Sequence, residues 1–375
     1  MGFFRIILAL SVFLDHSWDV FGSASQVGGW AVAPVSRQNL HVFIWSGNAV
    51  FAFFVLSGFF MAMVICEKYA KMEGGLGRFY FNRALRLYPT NWVMLACYLT
   101  FFLVNDVPSF LTWHVQPHNG WLTPVAIFCN SFFLGSELIT SWNANNWQYV
   151  LGPIWSLSVE MYFYILAPFI VTKSIRFIVL LAAASLALRL TLYHLGFALT
   201  PWRYFFFPSD LVYFLLGVLA YRLHALIKPQ IPLLGLASAT ILLGYITYQP
   251  FWVGNDMDQW ELWRFYILLA VCTPFLFHFT KNNRLDNFIG HLSYPVYLGH
   301  MLSFSVVIRY YHGPLNKGTV ALALTLSFAV AVYFLVDQPI EKIRRRISNA
   351  HSLKKAGNDY QIKTLEAKPA ATLSP

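Results

Sequence analysis

His16 stands near the end of the run ALSVFLDHSWDV, residues 9 to 20, between Asp15 and Asp19 and eleven residues after Arg5. Eleven steps of 100° return to within about 20° of the starting face of a helix, with a rise of about 16 Å. An arginine at one rim of a ~30 Å apolar layer and a histidine about half-way across it would therefore share one face. Asp19 lies three residues beyond His16 and can join that face; Asp15 is adjacent in sequence and points elsewhere. An imidazole beside a carboxylate is the pairing of general acid–base chemistry near pH 7. The plain alternative is a histidine hydrogen-bonded inside a helix bundle. Ionisable groups within an apolar segment cost several kcal/mol, so they mark candidate functional positions.

Other polar groups recur in the same setting. In GRFYFNRALRLYPTNW (77–92), Arg83 and Arg86 are i,i+3 neighbours. Two guanidiniums on one face suit a phosphorylated ligand, because each chelates oxygens bidentately. Positive charge also belongs at such a place for topological reasons alone. In GPIWSLSVEMYFYILAP (152–168), Glu160 falls about two turns inside an apolar run that starts beside Trp155. Ser156 and Ser158 read as helix-bonding hydroxyls rather than nucleophiles. In GHLSYPVYLGHML (290–302), His300 falls at mid-span, Pro295 predicts a kink, and Tyr294 and Tyr297 require partners. Asp210, in FFFPSDLVYFLLGVLAYR, either lines an outward pocket or caps a helix N-terminus, and capping is the stronger reading.

These groups need a scaffold, and the composition names it. The 375 residues are 58% hydrophobic, 18% aromatic and only 11% charged. Soluble domains carry about 25% charged residues, so the chain reads as an all-α integral membrane protein. Apolar runs near spanning length fall at 3–22, 43–66, 89–104, 154–172, 176–195, 208–226, 232–249, 262–280, 287–309 and 318–337, about ten transmembrane helices. The shorter piece 121–135, broken by Pro124 and Asn130, reads as a re-entrant or surface element in a long outer loop. With the N-terminus inside, 20 of the 26 Lys and Arg residues fall on the cytoplasmic side, and 87–172 contains none. Both termini are therefore expected in the cytoplasm. The net charge of +10 follows this topology, so nucleic acid is excluded as a partner. The division expected is one transmembrane domain, 1–345, and a short polar tail, 346–375. A rival reading takes Arg5, the first apolar run and GSAS (22–25) as a cleaved signal peptide, which would discard His16. Cys66, Cys97, Cys129 and Cys272 lie in or beside apolar runs without metal-ligand spacing and read as small packing residues.

Seven motifs along residues 1–345 carry a family resemblance: RIILALSVFLDH, FFVLSGFFM, RALRLYP, WSLSVEMYFY, YFLLGVLAYR, LSYPVYLGH and DQPIEK. In this order the chain resembles the acyltransferase-3 family, multi-pass membrane enzymes that O-acylate surface sugars. The resemblance implies a ten-helix bundle in a bacterial inner membrane. It implies that His16 is the essential histidine, that Arg5, Arg83 and Arg86 serve acyl-CoA, and that Glu160 is the fourth-span glutamate. The implied co-substrate is acyl-CoA, most simply acetyl-CoA, with no bound cofactor. The implied partners are membrane lipid and a carbohydrate acceptor. A separate glycan-assembly protein is a further candidate, because the tail is too short for the hydrolase-like domain of some members. His16 would act as a general base on the acceptor hydroxyl or as a covalent acyl carrier, and both remain open. Asp15, Asp19 or Glu160 would orient it. Trp155, Asp210, Tyr294 and His300 are the candidate acceptor pocket. A transporter using the same His, Glu and Arg groups is the alternative from another class; a sensor would need a signalling module that the tail lacks.

Overall fold

The computed structural model describes residues 1–21, 44–105, 122–135, 153–197, 201–227, 232–248 and 260–344. They form helices α1 (Gly2–Phe21), α2 (Ser46–Glu67), α3 (Gly75–Asn105), α4 (Leu122–Phe132), α5 (Ile154–Ile170) and α6 (Ile175–His194). α7 (Phe207–Ile227), α8 (Pro232–Tyr248), α9 (Trp260–Thr280), α10 (Arg284–Tyr310) and α11 (Lys317–Val332) follow, and a wide π-turn at Tyr333–Asp337 carries α11 into a helical stretch that runs on to Arg344. No strand occurs among the described residues. Each of the ten apolar runs falls on a helix, and 121–135 falls on the short α4. The tail 346–375 and most of the long outer loop lie outside the described residues.

Helices are what an apolar chain of this kind must form, since each one satisfies its own backbone where water is absent. Six helical stretches are both long and apolar enough to cross a membrane: Ser46–Lys71, Gly75–Asn105, Ile175–His194, Phe207–Ile227, Leu262–Thr280 and Lys317–Arg344. α1 and α10 are not among them, and they carry Arg5, Asp15, His16, Asp286, His291 and His300. The periphery is apolar as well: on α6, Phe177, Val179 and Leu180 are exposed.

α2 is the central post and packs against α1, α5, α7 and α9. Its crossing with α7 is made by glycines from both sides. A Cβ on Gly58 would lie 1.9 Å from the Phe214 carbonyl oxygen, and one on Gly217 would lie 1.9 Å from that of Val55. Only glycine permits this approach, as in small-residue helix contacts within membranes. α1 meets α10 in the same way through Gly2 and Gly290. α2 also packs on α1 and α5, so that α1, α2, α5 and α10 surround one space. Side chains fix the helix starts. Asp286 accepts the Gly2 and Phe3 amides, each at 2.8 Å, at the start of α1. Asp15 accepts the Ser46 amide at 3.1 Å, at the start of α2. Each carboxylate meets the positive end of a helix.

Candidate active site

A cavity of about 450 Å3 opens between α1, α2, α3, α5, α9 and α10. That is within the 300–1,000 Å3 range usual for small-molecule sites. Arg5, Arg83, Arg86 and Lys281 line it together. Arg83 is buried; its guanidinium lies 6.0 Å from the centre of the Tyr164 ring and 5.9 Å from that of Phe79. Its Nε has no hydrogen-bond partner among the described residues. A buried guanidinium with an unused donor is costly unless a ligand completes it. The helical spacing that put Arg83 and Arg86 on one face therefore brings them, with Arg5 of α1, onto a shared cavity wall.

Three α5 side chains one turn apart, Tyr164, Glu160 and Ser156, lead along that wall away from the arginines. Glu160 Oε1 accepts the Ser57 and Tyr164 hydroxyls, each at 2.5 Å. Ser57 belongs to the α2 motif FFVLSGFFM, and the sequence pattern assigns no role to it or to Tyr164. A side-chain partner 103 positions away leaves no local signal. At the inner end, the Ser156 and Tyr297 hydroxyls are 2.6 Å apart, and Ser156 also donates to the Pro153 carbonyl at 3.0 Å. Ser156 thus does more than bond its own helix. Tyr294 lines the cavity and donates to the Leu87 carbonyl at 3.0 Å.

His16 and His300 do not line the cavity themselves. They sit about one helical turn beyond Tyr297, because His300 follows it by three residues on α10. His16 Nδ1 and His300 Nε2 are 2.9 Å apart, and the rings meet edge to edge, nearly coplanar, with centres 5.2 Å apart and an 18° tilt. His300 is fully buried against Phe13 and Phe304, and its Nδ1 lies 2.8 Å from the Tyr297 carbonyl oxygen. The Asp19 side chain lies outside the described residues. Asp15 is buried at the start of α2, where it meets the Ser46 amide.

The four residues read as an acceptor pocket do not come together as one. Tyr294 joins the arginines and His300 joins His16. Trp155 packs on Tyr204 and Phe205, with ring centres 4.3 and 4.7 Å away. Asp210, in the first turn of α7, meets Arg189 at 2.8 Å, both fully buried. Arg189 in turn lies 5.1 Å from the Phe51 ring centre and 5.2 Å from that of Tyr213. Arg189 is itself an ionisable group inside the apolar run 176–195, but nothing local in the sequence points to its partner 21 positions away.

Comparison with known proteins places the chain in a lineage. The chain is similar to the O-acetyltransferase OatA of Staphylococcus aureus strains NCTC 8325, COL and MRSA252, at 25% identity over 351 residues. The match covers 84% of this chain and 56% of each relative, so the chain spans little more than half the length of the curated relatives it matches. No solved structure matches it. A family model described as an acyltransferase domain matches residues 1–336, almost the whole described bundle, and the chain belongs to this acyltransferase-3 family.

Proposed function

We propose that this chain is a membrane O-acyltransferase that moves an acyl group, most simply acetyl, from cytoplasmic acyl-CoA to a hydroxyl of a surface or lipid-linked carbohydrate. The observation that carries this reading is the cavity that joins Arg5, Arg83 and Arg86 at one end to Ser156 and Tyr297 at the other. The arginines would hold the nucleotide phosphates. Glu160 puts a negative charge between them and the inner end, which keeps phosphates at the basic mouth and admits the neutral thioester arm. His16, beyond that end, would take the proton of the acceptor hydroxyl as its oxygen attacks the thioester carbonyl. The C–S bond then breaks, and the imidazolium returns the proton to the departing thiolate.

The topology proposed is ten crossings with both termini cytoplasmic, in a bacterial inner membrane. It puts the arginine mouth on the side that acyl-CoA occupies and leaves the opposite face to the acceptor. The O-acetyltransferase name of the relatives supports acetyl as the group moved. The test is label transfer from radiolabelled acetyl-CoA to a panel of surface glycans by the reconstituted protein, with His16→Ala beside it. Label on glycan from the wild type and none from the variant is the expected result. Equal labelling by both would remove His16 from the chemistry. Solute flux across the vesicles without labelling would favour a transporter.

A further inference from the structure

We infer that His300 is a positioning residue that fixes the tautomer of His16, so that the His16 lone pair stands on Nε2. The inference rests on His16 being the base proposed above, and it follows from atoms that can only donate or only accept. The Tyr297 carbonyl oxygen accepts and never donates, so His300 Nδ1, 2.8 Å away, carries a proton. A neutral imidazole has one N–H, so His300 Nε2 carries the lone pair. His16 Nδ1, 2.9 Å from that lone pair, must then donate. Its own proton is therefore on Nδ1, and Nε2 is the basic nitrogen.

In many hydrolytic sites a carboxylate does this work by holding the Nδ1–H of a catalytic histidine. At Nδ1 of His16 the group in that place is a second imidazole. It is anchored by a helix carbonyl and by burial between Phe13 and Phe304. A neutral orienting partner adds no fixed negative charge at mid-span, where an unpaired charge is strongly unfavourable. Tyr297 links the parts: its hydroxyl sits at the inner end of the cavity, and its carbonyl sets the His300 proton.

The experiment uses the reconstituted full chain labelled with 15N-histidine, with the His16 resonances identified by their loss in His16→Ala. In the wild type His16 is expected as the Nδ1–H tautomer. In His300→Leu, which removes the acceptor but keeps an apolar side chain, it is expected to revert mainly to Nε2–H, the form favoured by imidazole in water. His300→Gln, whose side-chain oxygen reaches the place of Nε2, is expected to restore Nδ1–H. Steady-state transfer should follow: kcat down at least 10-fold in His300→Leu with KM for acyl-CoA unchanged, and substantially recovered in His300→Gln. An Nε2–H His16 in the wild type, or an Nδ1–H His16 in a folded His300→Leu, would overturn the inference even if His16 proves catalytic. Should His16→Ala retain activity while the tautomers behave as stated, the base reading fails and the positioning contact stands.

Discussion

Glu160 on α5 and Asp210 on α7 are both carboxylates set in apolar helices, yet one ends in hydroxyls and the other in a guanidinium. Asp210 and Arg189 are fully buried, 2.8 Å apart, with the arginine beside the rings of Phe51 and Tyr213. Neither lines the cavity. Glu160 accepts two hydroxyls, is only partly buried, and faces a space that Arg5, Arg83 and Arg86 share. A charge matched by its opposite across a direct bond is neutral as a unit and suits a structural tie. A charge held only by hydroxyls keeps its field and can act on a ligand. Intramembrane position alone marks both as candidates; what separates them is the bonding partner.

The sharpest way to break this comparison is to cut the structural tie. Asp210→Asn leaves Arg189 buried against an uncharged partner. Loss of one member of a buried pair costs about 3–5 kcal/mol. The expected outcome is a large fall in folded yield and in thermal midpoint in detergent, a greater loss of stability than Glu160→Gln or Ser57→Ala should cause. Arg189→Met combined with Asp210→Leu should recover most of it, because an apolar pair replaces an ion pair at little cost. A stable, inactive Asp210→Asn would move Asp210 into the chemistry and erase the contrast. Glu160→Gln is the reciprocal test. Its hydroxyl partners remain satisfied, so stability should change by no more than about 1 kcal/mol. Without the negative charge the phosphates are no longer confined to the basic mouth. Misplacing a substrate by about 1 Å costs roughly 100-fold in rate, so kcat should fall on that order while the protein stays folded.

The arginines sharpen the picture from the other end of the cavity. Hydrogen bonds to charged groups contribute about 1.5–3 kcal/mol, so Arg83→Ala with Arg86→Ala should raise KM for acyl-CoA at least ~10-fold. KM should rise more than kcat falls, since both residues stand at the mouth and away from His16. Initial rates across a range of acyl-CoA concentrations in reconstituted vesicles read this directly. An unchanged KM would return both residues to a purely topological role.

How much of this is legible in the sequence differs between helix and contact. Each apolar run becomes a helix because a segment of that length has few other ways to satisfy its backbone without water. The faces are legible too: Arg83 and Arg86 do share a wall, and Arg5 does join them. What periodicity does not carry is which faces meet. His300 reaches His16 across 284 positions, and Ser57 reaches Glu160 across 103. The first of these meetings goes with the glycine crossing of Gly2 and Gly290 between the same two helices, where small size permits a contact but does not name the partner. Asp15 is the clearest example. Its neighbour in sequence is His16, so it reads as a candidate orienting acid, while in the fold its carboxylate takes the Ser46 amide on the next helix.

Ser57 offers the finest test of how Glu160 is held. Its hydroxyl donates to Glu160 Oε1 at 2.5 Å and lies 3.4 Å from the Tyr164 hydroxyl, which donates to the same oxygen. Ser57→Ala removes one of two donors and leaves the other, so Glu160 keeps its charge and loses part of its fixed direction. A single hydrogen bond to a charged group is worth about 1.5–3 kcal/mol when lost outright. Here the exposed face of the cavity lets water replace the missing donor, so the net loss should be smaller. Transfer should fall only a few-fold, with KM and kcat both slightly affected. Tyr164→Phe removes the second donor and keeps the ring beside Arg83, so its effect should match that of Ser57→Ala in size. The double variant should then approach Glu160→Gln in kcat. If it remains close to wild type, the direction of the Glu160 carboxylate is irrelevant and only its charge matters, which would confine its role to a field along the cavity.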